Sequence, residues 1–204
     1  MFPYFGKKGV LCYCYRPLCE YDTAAVRLRE ITAYTLYMLF RPLWQRQKNW
    51  VVYEKFCKTA QDNSYYFFKY CMEHLPEKER RHIYYIMDPR EPDYKNVAGY
   101  SRQVVPFMSL KHMLLTLSMR ICISSDSTSH LYVWRSKPSI VRRAIKQKEE
   151  LFLQHGVTAM KRVDQLFGKK GSSPMTYFVT CSRPEHDIVV REFGSAPVSY
   201  THLR

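Results

Sequence analysis

The chain has 204 residues, 46% of them hydrophobic, and this composition excludes a chain that is disordered throughout. Its formal net charge of +14 indicates an anionic partner, but charge alone does not choose among nucleic acid, lipid and an anionic polymer. The length suits one substantial domain, with or without a helical extension.

The first 49 residues are predicted to form a basic helical extension. Residues 1–21 lack periodicity and are expected to be irregular, whereas Thr23 can cap a helix to about residue 47 that kinks or ends at Pro42. The apolar run 31–40 is shorter than the roughly 20 residues that a bilayer requires. Five cations flank this run: Arg27, Arg29, Arg41, Arg46 and Lys48. The pattern is typical of a helix that lies on a membrane surface or covers a domain.

Short β-prone runs alternate with helical segments between residues 50 and 197. Strands are predicted at 50–54, 82–87, 103–107, 121–124, 151–154 and 176–180. Helices are predicted from a cap at residues 62–64 to residue 74, from Ser109 to residue 119, and over 185–193 with Gly194 as the stop. This alternation predicts an α/β fold with a Rossmann-like parallel sheet. No GxGxxG or GxxxxGK[ST] follows a strand, which argues against dinucleotide and P-loop chemistry.

Cysteine usage indicates reduced thiols that are structural or incidental. The count of seven is odd, there is no CxxC pair, and no secretory signal pattern is recognisable. Cys12, Cys14 and Cys19 lie close together but lack a partner cluster at zinc spacing, so no metal site is predicted.

Polar residues fill three loops that follow predicted strands, at 59–64 (TAQDNS), 124–130 (SSDSTSH) and 154–162 (QHGVTAMKR). Ligands of parallel sheets bind beside such loops. In the third loop, His155 follows the strand and Gly156 permits a tight turn before a helix. A histidine beside a helix N-terminus is favoured in the neutral form that a general base needs, and Lys161 and Arg162 can hold phosphate oxygens. The residues alone leave two interpretations: a site that activates a hydroxyl beside a phosphate, or a loop histidine that only bonds the backbone.

The segment 152–164, FLQHGVTAMKRVD, resembles the active-site motif of the CDP-glycerol:polyglycerophosphate glycerophosphotransferases, often QHG-[VT]-x-x-[LM]-K. Segments at 50–70, 83–97, 109–126 and 177–194 resemble the same family in the same order, so the resemblance covers most of 50–194. It implies a two-domain glycosyltransferase-B-like fold. Residues 50–197 would be the Rossmann-like, acceptor-side domain, and a second half would hold the CDP-alcohol.

The resemblance also implies roles for single residues. His155 matches the family's histidine, the base for the acceptor's terminal hydroxyl, which attacks the β-phosphorus of CDP-glycerol and releases CMP without a metal or other cofactor. The implied substrate-binding residues are Gln154, Gly156, Lys161 and Arg162 in the third loop, Asp62, Asn63 and Ser64 in the first, and Ser124 and Ser125 in the second. Helix capping is an equal alternative for Asn63 and Ser64. Four further residues are predicted to be surface charge: Lys111, His112, Arg142 and Arg143.

The implied partners are a CDP-alcohol and an anionic polyol-phosphate or glycan acceptor, at the cytoplasmic face of a bacterial membrane, in cell-wall or capsule synthesis. Glycerol and ribitol stay open as the alcohol. Family members continue past residue 194 into a second domain, whereas residues 198–204 (VSYTHLR) resemble a translated sequencing adapter. We therefore expect residues 198–204 to be non-native and the 204-residue chain to be inactive by itself.

Two non-enzymatic alternatives remain. One is a membrane-surface protein without catalysis. The other is a basic nucleic-acid-binding protein, although the sequence has no zinc finger, RNP-like motif or KH loop.

Overall fold

A parallel sheet forms the centre of the molecule in the computed structural model, which describes residues 2–5, 9–14, 17–133, 140–145, 147–154, 165 and 175–193. The strands are β1 (Phe2–Phe5), β2 (Leu11–Cys14), β3 (Trp50–Tyr53), β4 (Ile83–Met87), β5 (Val104–Pro106), β6 (Ile121–Ser124), β7 (Glu149–Phe152) and β8 (Tyr177–Phe178). The central sheet has the order β5-β4-β3-β6-β7-β8, and all its neighbours run parallel. This is the Rossmann-like arrangement that the alternating pattern predicts.

Helices cover both faces of this sheet, because successive strand residues point to opposite sides. They are α1 (Ala24–Leu39), α2 (Arg41–Arg46), α3 (Asn63–His74), α4 (Glu77–Arg80), α5 (Tyr94–Val97), α6 (Leu110–Ser118), α7 (Ile140–Ile145) and α8 (Arg183–Phe193). Val51 and Cys122 share a core cluster with residues of α1, α6 and α7. Val52 and Ile123 share a second cluster with residues of α3 and α5.

Side-chain caps set the starts of three helices, as predicted. The Thr23 hydroxyl accepts from the amide of Val26 at the start of α1, and Ser109 accepts from the amide of His112 in α6. The cap of α3 is Asp62, whose side chain accepts from the amide of Asn63. The alternative that Asn63 or Ser64 caps this helix is therefore wrong. The break between α1 and α2 falls at Phe40, and Pro42 lies in the first turn of α2.

Several elements differ from the expectation. Residues 1–21 were expected to be irregular, but β1 and β2 pair as an antiparallel hairpin. The strand predicted at 151–154 is β7, at Glu149–Phe152, because Glu149 and Glu150 also pair with β6. The short helices α4, α5 and α7 are not evident from periodicity.

His112 lies in the core and not at the surface, which corrects the expectation of a surface charge. Its ring is fully buried, and Nδ1 accepts a hydrogen bond of 2.9 Å from the amide of Met108. Burial lowers the pKa of His112 to about 3, so the imidazole is neutral at pH 7. The side chains of Arg142 and Arg143 lie outside the described residues.

Helix α1 packs onto the sheet domain through α6. Val26 and Ala33 belong to the same core cluster as Val51. The Arg29 guanidinium, expected to flank the apolar run, donates to the carbonyl of Met108 at 2.9 Å. The boundary at residue 49 between a helical extension and the Rossmann-like domain stays a prediction. Within the described part of the chain, no helix is long and apolar enough to cross a membrane.

Asp88 follows β4 and ties the N-terminal segment to the sheet. Arg90 donates to its carboxylate from Nε at 2.9 Å and from Nη2 at 2.6 Å, and the Tyr21 hydroxyl donates at 3.2 Å. Arg90 also pairs with Glu20. The Arg90 side chain is the main reason why the pKa of Asp88 falls from its ordinary 3.8 to about 2.

Replacing Asp88 with asparagine is expected to lower the free energy of unfolding by about 2 kcal/mol at pH 7. Because the folded pKa is below the unfolded one, this stabilisation is present above about pH 4 and is lost as the pH falls toward 2. Urea unfolding between pH 2 and 7 measures it, with the exposed Asp187→Asn as a control of equal charge change. A difference between wild type and Asp88→Asn that stays constant over this range would contradict the assignment.

Candidate active site

The candidate site lies at the carboxyl edge of the sheet, between β3 and β6. The chain leaves β3 toward β4 on one side and leaves β6 toward β7 on the other, so the two following loops diverge. A crevice at such a switch point is where ligands of open parallel sheets bind. The loops that follow β3, β6 and β7 are the three polar loops of the sequence.

Glu54, directly after β3, holds the first loop in place. Its side chain is buried, with the residue 1% exposed. One carboxylate oxygen accepts from the amides of Asp62 and Tyr65, both at 2.9 Å, and the other accepts from the amide of Gln61 at 3.1 Å. These contacts satisfy amides at the start of α3 that have no partner within the helix. Sequence reasoning missed Glu54; the available signal was a lone carboxylate between a buried strand and a helix N-terminus.

Three predicted residues of the first and second loops form one hydrogen-bonded cluster. The amide of Ser125 donates to the Ser64 hydroxyl at 2.8 Å, and the two hydroxyls are 3.3 Å apart. The Ser125 hydroxyl also donates to the Asp62 carboxylate at 3.1 Å. Ser64 and Ser125 are buried, so this cluster lies beneath the surface at the switch point. Ser124 is also buried, but its hydroxyl accepts from the amide of Asp126 and supports its own loop.

Two residues that follow β3 have a strained backbone, and one of them contacts the loop after β6. Phe56 and Cys57 have positive φ angles of 54° and 57°, a conformation that side-chain-bearing residues rarely adopt. The Phe56 ring packs on the ring of His130 with centroids 3.9 Å apart, and His130 lies 3.0 Å from Asp126. Such strain is retained when surrounding contacts fix the loop, and it is common at functional sites.

Asn63 connects the first loop to the third. Its side-chain amide donates to the backbone carbonyls of Leu153, at 3.4 Å, and of Gln154. Gln154 has a positive φ of 59°, and its own side-chain amide donates to the buried carboxylate of Glu185 at 2.9 Å. Glu185 also accepts from the amide of Cys181 at 2.9 Å. The backbone of Gln154 therefore reaches the crevice, while its side chain bonds α8.

The structure thus brings together six of the predicted site residues: Asp62, Asn63, Ser64, Ser124, Ser125 and Gln154. The other four, His155, Gly156, Lys161 and Arg162, lie outside the described residues. The contacts in the described part of the crevice come from hydroxyls, a carboxylate and amides. Of these groups, the carboxylate favours a substrate hydroxyl, since it accepts from a hydroxyl and repels a phosphate.

Fold and crevice define a Rossmann-like α/β domain with a polar site at its switch point. The sequence is 28% identical over 153 residues to the minor teichoic acid biosynthesis protein GgaB of Bacillus subtilis (strain 168). The aligned region covers 73% of this chain and 16% of GgaB. The match confirms the resemblance drawn from the motifs: over part of its length, the chain is similar to CDP-glycerol glycerophosphotransferase-like proteins of teichoic acid biosynthesis.

Solved structures of the wall teichoic acid polymerase TagF are also similar. One has a TM-score of 0.47 and 13% identity, covering 86% of this chain and 46% of that chain. Another, soaked with CDPG, has a TM-score of 0.46 and 12% identity, covering 88% and 48%. No family model matches the sequence. The chain thus spans less than half the length of these relatives.

Proposed function

We propose that this domain takes part in transferring glycerol phosphate, or a related polyol phosphate, from a CDP-alcohol to the terminal hydroxyl of a polyol-phosphate or glycan acceptor. The supporting observation is the contact between Asn63 and the backbone of Gln154 beside the Asp62–Ser125 cluster. The next residue in the chain is His155, the histidine of the QHG motif. The similarity to a teichoic acid biosynthesis protein supports the same function.

The proposed reaction assigns a task to each group. The acceptor hydroxyl lies against the partly exposed Asp62 carboxylate, which orients it and is itself held by the buried Ser125 hydroxyl. His155 takes the hydroxyl proton as the oxygen attacks the β-phosphorus. The bond from that phosphorus to the bridging oxygen breaks, and CMP leaves with the electron pair. Lys161 and Arg162 stabilise the charge on the phosphate oxygens in the transition state.

An assay of the natural full-length protein tests this function. CDP-glycerol and a short polyglycerol-phosphate acceptor are expected to give CMP and an acceptor longer by one unit, in equal amounts. CDP-ribitol in a parallel reaction determines which alcohol is used. Absence of both products with either donor would contradict the proposal.

The 204-residue chain alone is expected to release no CMP, since the resemblance implies that a second half holds the CDP-alcohol. Its own His155→Ala variant sets the background of the same assay. CMP release by the chain above that background would overturn this expectation and leave the proposed reaction standing.

We also propose that the protein works as a peripheral protein at the cytoplasmic face of the membrane. The outward side of α1 is apolar, with Leu28, Ile31 and Leu39 each more than 60% exposed. Arg27 precedes these residues in the chain and Arg41 follows them, and both arginines are exposed. An apolar helix face between cations favours the surface of an anionic bilayer.

Replacing Ile31 and Met38 with serine is expected to reduce co-sedimentation with phosphatidylglycerol vesicles several-fold, since each change removes exposed apolar area from the bilayer contact. Both residues are exposed, so the fold should be retained. The control is Tyr66→Ser with Tyr70→Ser, which removes two exposed aromatic side chains from α3. Equal vesicle binding by wild type and the α1 variant would exclude α1 as the membrane contact.

A further inference from the structure

A basic groove lies on the molecule away from the crevice. It consists of two adjoining cavities of about 450 Å³ each, and Arg81 lines both. The cations that line the groove are Lys48, Lys78, Arg80, Arg81, Arg102 and Arg120. Two carboxylates, Glu77 and Glu79, line it as well, so positive charge predominates.

The groove is at the opposite edge of the sheet from the candidate active site. Trp50 and Ile83, which begin β3 and β4, line one cavity, and Gln103, which precedes β5, lines the other. The crevice lies beyond the other end of β3, a strand whose four residues span about 13 Å. The two sites therefore do not share residues.

Most of the groove's positive charge is not neutralised within the described part of the chain. There, Lys48, Lys78 and Arg102 form no ion pair with a carboxylate, and the Arg81 side chain donates to the ring of His82 at 3.0 Å. The Arg80 guanidinium donates to the carbonyl of Met72 at 2.9 Å, and Arg120 reaches Glu149 only at 3.7 Å. Clustered cations with no carboxylate partner attract an external anion.

We propose that this groove binds successive phosphate groups of an anionic polyol-phosphate chain, the acceptor class of the proposed function on which this inference rests. The cations line two recesses, a concave shape that a flexible polymer follows more closely than a flat bilayer does. Two recesses that share Arg81 can each take one phosphate of a chain with a phosphate in every repeat. The groove is then a second acceptor-holding site, separate from the one where the terminal hydroxyl reacts.

Fluorescence anisotropy of the 204-residue chain with a labelled glycerol-phosphate oligomer tests the groove. The variant Lys78→Gln with Arg81→Gln is expected to bind on the order of tenfold more weakly at low salt, with a salt slope smaller by roughly 1.4 to 1.8. The control, Lys95→Gln with Arg191→Gln, removes one exposed lysine and one exposed arginine outside the groove. It is expected to bind like wild type. Equal urea midpoints of all three proteins establish that folding is unchanged.

Three results would overturn the groove assignment. They are no oligomer binding by wild type, equal binding by wild type and groove variant, and equal losses in the groove variant and the control. Tighter, groove-dependent binding of an RNA oligonucleotide with as many phosphates would make it a nucleic-acid site instead. Groove-dependent binding of phosphatidylglycerol vesicles would make it a lipid site. The binding assay contains no CDP-alcohol, so its results are independent of the transferase assay. If the transfer reaction fails but binding depends on the groove, the proposed function is contradicted and the groove assignment is not.

Discussion

Replacing Glu54 with alanine is expected to lower the free energy of unfolding by about 3 to 5 kcal/mol. The carboxylate accepts from three amides, those of Gln61, Asp62 and Tyr65, and is itself buried. Alanine removes three charge-assisted hydrogen bonds and leaves those amides without their acceptor, which is the costly outcome for a buried polar group. Urea unfolding at pH 7, followed by circular dichroism, measures the change.

Two further variants separate this role from a general effect of charge. Glu54→Gln keeps the shape and one good acceptor oxygen, so it is expected to lose about 1 to 2 kcal/mol. Glu73→Ala removes an exposed carboxylate from α3 that has two long contacts, with Lys69 at 4.0 Å and with the Tyr100 hydroxyl at 3.4 Å. It is expected to cost less than about 1 kcal/mol. Equal effects of Glu54→Ala and Glu73→Ala would mean that Glu54 does not hold the loop.

Local signals account for the parts of the fold that the sequence predicts. Thr23 and Ser109 cap helices through contacts three residues away, and such short-range geometry is written in the sequence. The apolar runs that became β3, β4 and β6 are buried from both faces, so their continuous hydrophobic character marks them as strands of a parallel sheet. The alternation of these runs with helices is sufficient to predict the class of sheet.

Long-range polar contacts account for what was missed. Histidine is a polar residue type that is often exposed, so the sequence favours a surface position for His112. Only the fold brings its ring into contact with the amide of Met108 and the ring of Tyr132. Asp88 and Tyr21 meet although 67 residues separate them, and no local pattern specifies such a pair. The predicted start of β7 is two residues too far along the chain. Glu149 and Glu150 have low strand propensity, and they belong to β7 because they pair with β6.

The site was predictable in position and less so in detail. Since strand ends of a parallel sheet meet at one edge, Asp62 and Ser125 could be expected to lie close together, and they form a hydrogen bond of 3.1 Å. The partner of the Gln154 side chain could not be expected, because Glu185 lies on a helix 31 residues further along the chain.

Replacing His155 with alanine in the natural full-length protein is expected to lower kcat for CMP release by about 100- to 10,000-fold, the usual contribution of a general base. KM for the acceptor should change little, because the proton transfer stabilises the transition state and not the bound acceptor. Acceptor-dependent CMP release at varied acceptor concentration separates the two constants. His74→Ala, which removes an exposed histidine from α3, is the matched control and should keep full activity.

Asn63→Ala distinguishes the base from the residue that positions its loop. Asn63 contacts the carbonyl of Gln154, the residue before His155, so its loss should lower kcat less than the loss of His155 does. Combining the two substitutions should then lower kcat no further than His155→Ala alone, because a loop position has no effect once the base is gone. A double variant whose losses multiply would mean that Asn63 acts independently of His155, and wild-type kcat in His155→Ala would remove the base from the mechanism.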